Sequence, residues 1–216
     1  MGTPMRISLQ GAEGRLGRLI VEELARVSEA HAVVYAGPVL RNGVLPQCDV
    51  VVDVSSAQGT ESLLERMDGQ ALVVGTTGDL PMDAIAAYAK RAPVAIVPNF
   101  SVGIPMLLDL LEQAIRCLPD GWKLEVMETH HVHKKDAPSG TAKRLAASIR
   151  KQMGGVEVPV SSQRVGETFG EHTVQLTGPG ERLELKHVAT HREVFAIGAV
   201  RWARWLVEQP VGLIQP

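Results

Sequence analysis

Three glycines at fixed spacing, Gly11, Gly14 and Gly17, stand between a short strand candidate at residues 5–10 and a helix candidate. Past the turn, Leu16, Leu19, Ile20, Leu24 and Val27 recur at helical spacing. A strand that passes through a glycine turn into a helix commits the chain to a βα unit. Its backbone N–H groups can approach a pyrophosphate at the helix N-terminus. The spacing is G-x-x-G-x-x-G and not G-x-G-x-x-G, so the triplet alone also fits a tight turn that binds nothing. Its place between strand and helix favours the nucleotide reading.

The pattern continues in the same style. Strands are predicted at 32–36, 50–54, 71–74 and 94–97, with helices at 59–67 and 81–91. Thr60 is a candidate cap for the first of these helices, and Pro81 suits the first turn of the second. Such alternation implies an α/β fold with a doubly wound parallel sheet. The strands at 71–74 and 94–97 run into Gly75-Thr76-Thr77-Gly78 and Pro98-Asn99-Phe100-Ser101, where open α/β sheets place ligands. Only eleven residues, 37–47, separate the second and third strands, and two prolines and two glycines lie among them. No crossover helix is expected there. The acidic residue that usually takes the ribose 2′-OH about 20 residues past the glycines is also missing. Gly37-Pro38 stand in its place, with no Asp or Glu between Glu29 and Asp49.

After residue 100 the pattern changes to an α+β arrangement. It reads as a helix at 104–117, a strand at 123–129, a helix at 141–153, strands at 173–176 and 182–188, and a helix at 194–208. In the last helix, Trp202 and Trp205 are expected in a core or an interface. The chemistry concentrates between the first strand and the second helix of this half, in E-T-H-H-V-H-K-K-D-A-P-S-G-T-A, residues 128–142. His130, His131 and His133 can exchange protons near neutral pH, and Lys134 and Lys135 bring positive charge. Pro138 marks a turn, and Ser139, Gly140 and Thr141 open a helix whose free N–H groups suit an anion. A solvated basic loop is the plainer alternative. The density of histidines beside an anion site favours a strand-to-helix loop that binds a small carboxylate substrate.

This fifteen-residue stretch resembles the signature of the 4-hydroxy-tetrahydrodipicolinate reductase family, nicotinamide-dependent enzymes of the diaminopimelate route to lysine. The glycine turn, G-T-T at 75–77, N-F-S-V-G at 99–103, R-V-G at 164–166 and G-E-H at 170–172 resemble the family as well. The resemblance implies a Rossmann-like dinucleotide-binding domain at 1–99 and 192–216. A substrate-binding and oligomerisation domain of α+β type would occupy 100–191, and the assembly would be a homotetramer. It implies that Gly11, Ala12, Glu13, Gly14, Arg15 and Leu16 bind the cofactor, with Gly75, Thr76, Thr77, Pro98, Asn99 and Phe100 at its nicotinamide end. It places His130 and Lys134 as the proton-transfer groups, and His131, Ser139, Gly140 and Thr141 on the substrate carboxylates. Family members usually carry a longer segment after the second strand, so NADPH and NADH both stay open as cofactors. Nothing acidic there would repel a 2′-phosphate, and Arg15, Arg18 and Arg41 could pair with it.

Composition narrows the field. With 45% hydrophobic and 21% charged residues the chain is neither disordered nor fibrous. A formal net charge of −2 gives no general attraction to nucleic acid or acidic membranes. No apolar run approaches the roughly 20 residues of a bilayer span, and no signal-peptide core precedes the first strand, so a cytoplasmic protein is expected. Cys48 and Cys117 are expected as buried free thiols. Two other classes compete: a cofactor-binding sensor without catalysis, and a metal-dependent hydrolase using the three clustered histidines. Adjacent histidines on a strand point to opposite faces, which fits one metal poorly, and no metal is expected.

Overall fold

The computed structural model describes residues 3–28, 33–40 and 43–215. The chain divides into two compact units, Met1–Phe100 with Arg192–Pro216, and Ser101–His191. Residue 32 of the second predicted strand and Arg41 lie outside the described residues.

The first unit is built on a sheet whose described strands all run parallel. These are β1 (Met5–Gln10), β2 (Val33–Pro38), β3 (Val50–Asp53), β4 (Ala71–Val74), β5 (Pro93–Ile96) and the last strand of the chain, β10 (Gly212–Ile214). Their order is β10-β5-β4-β3-β1-β2. Successive side chains point to opposite faces, and both faces are covered. Ile7, Leu9, Val50, Val52, Ala71, Val73 and Ala95 pack with α1 (Arg15–Ser28) and α6 (Glu193–Leu206). Val51, Leu72, Val74 and Val94 pack on the other side with α2 (Ala57–Leu64) and α3 (Met82–Tyr88). That double burial is why V-V-V-D and A-L-V-V read as unbroken apolar runs.

Strand order reverses at β1, which lies between β2 and β3. The crevice beyond the carboxyl ends at such a switch point is where open α/β sheets bind their ligands. Among the described residues, the link from β2 to β3 contains no helix. Some details differ from expectation: α2 and α3 end three residues sooner than predicted, at Leu64 and Tyr88. Helix α2 starts two residues early because Ser56, and not Thr60, caps it by accepting from Gly59 N. The Thr60 hydroxyl instead donates to the buried Asp53 carboxylate. Strand β10, three residues long, gave no period to read.

The second unit comprises α4 (Gly103–Cys117), β6 (Lys123–His130), α5 (Gly140–Gln152), β7 (Val160–Arg164), β8 (Glu171–Gly178) and β9 (Glu181–Val188). The sheet order is β7-β6-β8-β9, with β6 parallel to β7 and the other pairs antiparallel. Leu124, Val126, Val174 and Leu176 face the two helices, meeting Leu107, Leu111, Leu145 and Ile149. Glu128 and His130 continue that same buried face of β6, since both follow Val126 at even spacing. Helix α5 ends at Gln152 with the chain turning through Gly154 and Gly155, both at positive φ.

Cys117 is exposed and Cys48 half-buried, and both thiols are free. Cys117 occupies the last turn of α4, outside the core, so the expected burial fails there. Burial pushes the Cys48 thiol up to about 11. Trp202 packs against the α1–α6 core, while Trp205 is 42% exposed and meets the Trp202 ring edge-on at 5.1 Å. No helix among the described residues is long and apolar enough to cross a membrane.

Candidate active site

The last turnless step of β6 sets up the site in the second unit. His130 is the final strand residue and not a loop residue, so its backbone is held by the sheet. Two positions earlier, Glu128 is 1% exposed. Its Oε2 pairs with His130 Nδ1 in a very short contact. Arg164, at the end of β7, grips the same carboxylate with Nη1 at 3.1 Å and Nη2 at 3.0 Å. The Ser139 N–H donates to Oε1 at 3.2 Å. Burial would raise the Glu128 pKa, but hydrogen bonds from Arg164, Ser162 and His130 outweigh it and bring the group down to about 2. Burial pushes His130 down, against the opposing pull of Glu128.

Ser139 is a hub. Its hydroxyl accepts from Ala142 N at 3.2 Å, capping α5, and meets His172 Nε2 at 3.2 Å. At 2% exposure its N–H and hydroxyl are engaged within the unit; the neighbouring Gly140 is exposed and Thr141 half-buried. The His172 ring stands edge-on to His130 with centroids 5.1 Å apart. Burial and the nearby His130 and His187 bring His172 down to about 3. Opposite His172 on the edge strand β9, His187 Nε2 meets Ser101 Oγ at 2.9 Å.

Between His130 and Ser139 the chain forms a loop tied at both ends. His130 O accepts from Val165 N at 2.8 Å, and Val132 N donates to Gly166 O at 3.1 Å. Arg164 Nη2 also donates to Asp136 O at 2.5 Å. On this loop Lys134 Nζ pairs with Asp136 at 2.8 Å, half-buried, and burial of Asp136 is outweighed by Lys134, which lowers its pKa. His131 is half-buried, whereas His133 is exposed and pairs loosely with Glu167 at 3.8 Å. Among the described residues no group of three or more His, Cys, Asp or Glu side chains is arranged to hold a metal ion.

In the first unit the glycine turn brings the backbone close to the start of α1. Gly11 takes φ +86°, and a Cβ there would lie 2.7 Å from Val54 O. A Cβ on Gly17 would overlap Gly11 O, so only glycine lets α1 pack down on the turn. Gly14, whose N–H donates to Gly11 O at 3.1 Å, is exposed with Glu13 and Arg15, while Gly11, Ala12 and Leu16 are half-buried. Exposed backbone at a helix N-terminus fits a dinucleotide's pyrophosphate. Asp53 ties the neighbouring loops together. Its carboxylate takes Ser55 N at 3.0 Å and Ser55 and Thr60 hydroxyls, and its carbonyl takes Gly75 N at 2.8 Å. Thr76 is buried and Thr77 exposed. Phe100 is buried with its ring against Gly75, whereas Pro98 is exposed and Asn99 half-buried. A cleft of about 370 Å³ lined by Gln10, Val39, Ser55, Gln58, Ser62 and Arg66 lies beside the ends of β1 and β3.

The histidines of the loop, Lys134 and the glycine turn are legible in the sequence, whereas Glu128, Asp53, His172 and His187 carry no local mark as site-building residues. For Glu128 and Asp53 the one hint is a carboxylate at an inward-facing strand position.

A doubly wound parallel sheet with this glycine cradle, joined in one chain to an α+β unit, fits an oxidoreductase that works with a pyridine nucleotide. Residues 5–100 match the family described as "Dihydrodipicolinate reductase, N-terminus", and residues 103–215 match "Dihydrodipicolinate reductase, C-terminus". The chain belongs to the dihydrodipicolinate reductase family. Among its relatives, a 4-hydroxy-tetrahydrodipicolinate reductase of Stenotrophomonas maltophilia is 42% identical, covering 94% of this chain and 92% of that one. One of Xanthomonas campestris is 38% identical over 97% and 95% of the two chains. In fold, the chain is similar to a dipicolinate-bound dihydrodipicolinate reductase from a Paenisporosarcina species, with a TM-score of 0.76, 21% identity, and 98% and 97% coverage.

Proposed function

We propose that the chain reduces 4-hydroxy-tetrahydrodipicolinate, through its dehydrated form, to tetrahydrodipicolinate in the diaminopimelate route of lysine biosynthesis. The observation that carries this reading is the fixed His130 beside the Lys134 loop and the α5 N-terminus, in a chain matched along both halves by one reductase family. Reduced nicotinamide supplies the hydride when bound. Gly11, Ala12, Glu13, Gly14, Arg15 and Leu16 hold its pyrophosphate through backbone N–H groups and the helix terminus. Thr77, Asn99 and the backbone around Gly75, Thr76, Pro98 and Phe100 serve the nicotinamide end, the Phe100 ring itself being spent in the core.

The substrate is a ring with two carboxylates. His131, Lys134 and the first N–H groups of α5 at Gly140 and Thr141 hold them. Ser139 contributes by capping that helix. At a separation of 4 Å a lysine attracts a carboxylate by about 4 kcal/mol at an effective dielectric of 20, before desolvation. Hydride arriving at the substrate carbon leaves electron density that a proton must quench, and His130 and Lys134 deliver it.

Oxidation of reduced nicotinamide by freshly generated substrate tests the reading, with both nucleotides tried. Turnover that survives EDTA is the expected result. Turnover lost in EDTA and restored by zinc would favour the hydrolase-like use of the histidines, and nucleotide binding without turnover would favour the sensor.

A further inference from the structure

We propose that Glu128 is a positioning residue for His130: clamped by Arg164 and the Ser139 N–H, its carboxylate holds the ring with Nδ1–H toward it and leaves Nε2 as the atom that exchanges a proton. The proposal deepens the reductase reading and rests on it for the role of His130. An ionised carboxylate only accepts hydrogen bonds, so the imidazole nitrogen facing it must be the one that carries hydrogen. Here Oε1 accepts from Arg164 Nη2 and Ser139 N, while Oε2 accepts from Arg164 Nη1 and pairs with His130 Nδ1. The carboxylate is thereby held from three elements, β7, the α5 cap and its own strand. It cannot turn away from the ring without breaking two charge-assisted bonds. Outer partners of this kind fix tautomer and orientation.

The opposite edge of the ring lies against a glycine. Nε2 faces Gly170, where a Cβ would lie only 3.1 Å away. Gly170 sits at φ +145°, so both the backbone and the space call for glycine. The charged and titratable groups around His130 are Arg164 from β7, Lys134 from the loop and His172 from β8, with His187 behind His172. Burial together with Lys134 and Arg164 pushes His130 toward its neutral form, and Glu128 pulls the other way. Arg164 and Glu128 would satisfy each other without any histidine, so the orientation of the carboxylate toward Nδ1 is a separate feature of the network.

Glu128→Gln is the informative change. Its amide oxygen, in the place of Oε1, still accepts from Arg164 Nη2 and Ser139 N, so its NH₂ faces Nδ1 and moves the ring hydrogen to Nε2. In ¹⁵N-histidine spectra the unmodified protein should show His130 protonated on Nδ1, and E128Q should show it on Nε2. Turnover in E128Q should fall about 10²-fold or more at unchanged substrate KM, by analogy with wrong-tautomer variants of other His–carboxylate pairs. The limb on which kcat falls with rising pH should move to lower pH, because the carboxylate no longer supports the imidazolium. Glu128→Asp should keep Nδ1–H and recover part of kcat. The proposal is overturned if His130 of the unmodified protein carries hydrogen on Nε2. It is equally overturned if E128Q loses melting temperature and kcat with an unshifted pH profile, the mark of a purely structural pair. Should E128Q not fold, the unmodified protein and E128D still decide through the tautomer spectra. Absence of nicotinamide turnover in the unmodified protein would count against the reductase reading alone, since the spectra judge Glu128 without it.

Discussion

His130 and Lys134 lie four residues apart but are held in different ways. His130 ends a strand and is braced by Glu128, whereas Lys134 rides a loop with Asp136 as its partner. Lys134→Ala should therefore raise substrate KM and lower kcat together, since an ammonium both binds a carboxylate and gives a proton. His130→Gln should lower kcat by about 10²–10⁴-fold with a smaller KM change. Both should keep nucleotide affinity. Steady-state kinetics with a nucleotide titration checks this, and poor nucleotide binding with normal saturated turnover in Lys134→Ala would turn the loop into a cofactor clamp. His172 makes a second, independent prediction. Its folded pKa of about 3 lies below the ordinary histidine value near 6.5. The unfolded chain thus takes up a proton first, and stability falls as pH drops from about 6.5 through about 3. Glu128, depressed to about 2, adds a loss only at more acid pH, as pH falls from its ordinary value near 4.3 through about 2. Burial lowers His187 too, and His130, so His172→Gln should make the slope of urea stability between pH 6.5 and 5 shallower without abolishing it. An unchanged slope would show that His172 is not a buried neutral group. The histidines and Lys134 were legible because their side chains announce their chemistry. Glu128 was not, since its partner Arg164 lies 36 residues away and only the alternation Leu124, Val126, Glu128 hints at its inward face.

Among elements, β1 and α1 depend most on a single atom. Gly17 lets the first turns of α1 close on the Gly11 carbonyl, and the opposing atoms are backbone, which cannot swing aside. Gly17→Ala should tilt α1, spoil the N–H cradle and weaken nucleotide binding at least about tenfold while the second unit keeps its fold. Fluorescence titration with reduced nucleotide measures it; unaltered affinity would mean that the pyrophosphate does not sit on this turn. Elements of this kind are readable because helix and strand periods, glycines and a proline all agree. Strand β7, V-S-S-Q-R, escaped reading because it alternates no apolar residues and its middle is exposed. Its role comes from pairing with β6, which brings Arg164 to Glu128, a long-range fact with no local signature. The cap of α2 was misplaced because Ser56 and Thr60 are both good capping residues, and the buried Asp53 claims Thr60.

For the molecule as a whole the open choice is the nucleotide, and charge decides it. The chain is slightly acidic overall, so a 2′-phosphate must be recognised by local cations. Strand β2 ends at Gly37–Pro38 with no carboxylate to take a ribose 2′-OH, or to repel a phosphate in its place. Arg15 and Arg18 stand exposed at the start of α1, and Arg66 lines the cleft beside the ends of β1 and β3. A guanidinium within about 4 Å of a phosphate gains roughly 4 kcal/mol per unit charge at an effective dielectric of 20, before desolvation. Even a fraction of that is a tenfold effect. NADPH should therefore be used at least as well as NADH by kcat/KM. Salt supplies the control: exposed charges are screened over about 10 Å at 0.1 M ionic strength, so rising salt should raise KM for NADPH more than for NADH. Arg15→Ala, Arg18→Ala and Arg66→Ala, made singly, should reveal the reader as the change that raises KM for NADPH and leaves NADH alone. A strong preference for NADH with no salt dependence would show that the missing carboxylate is replaced by neutral contacts to the ribose, and that none of these arginines reads the phosphate.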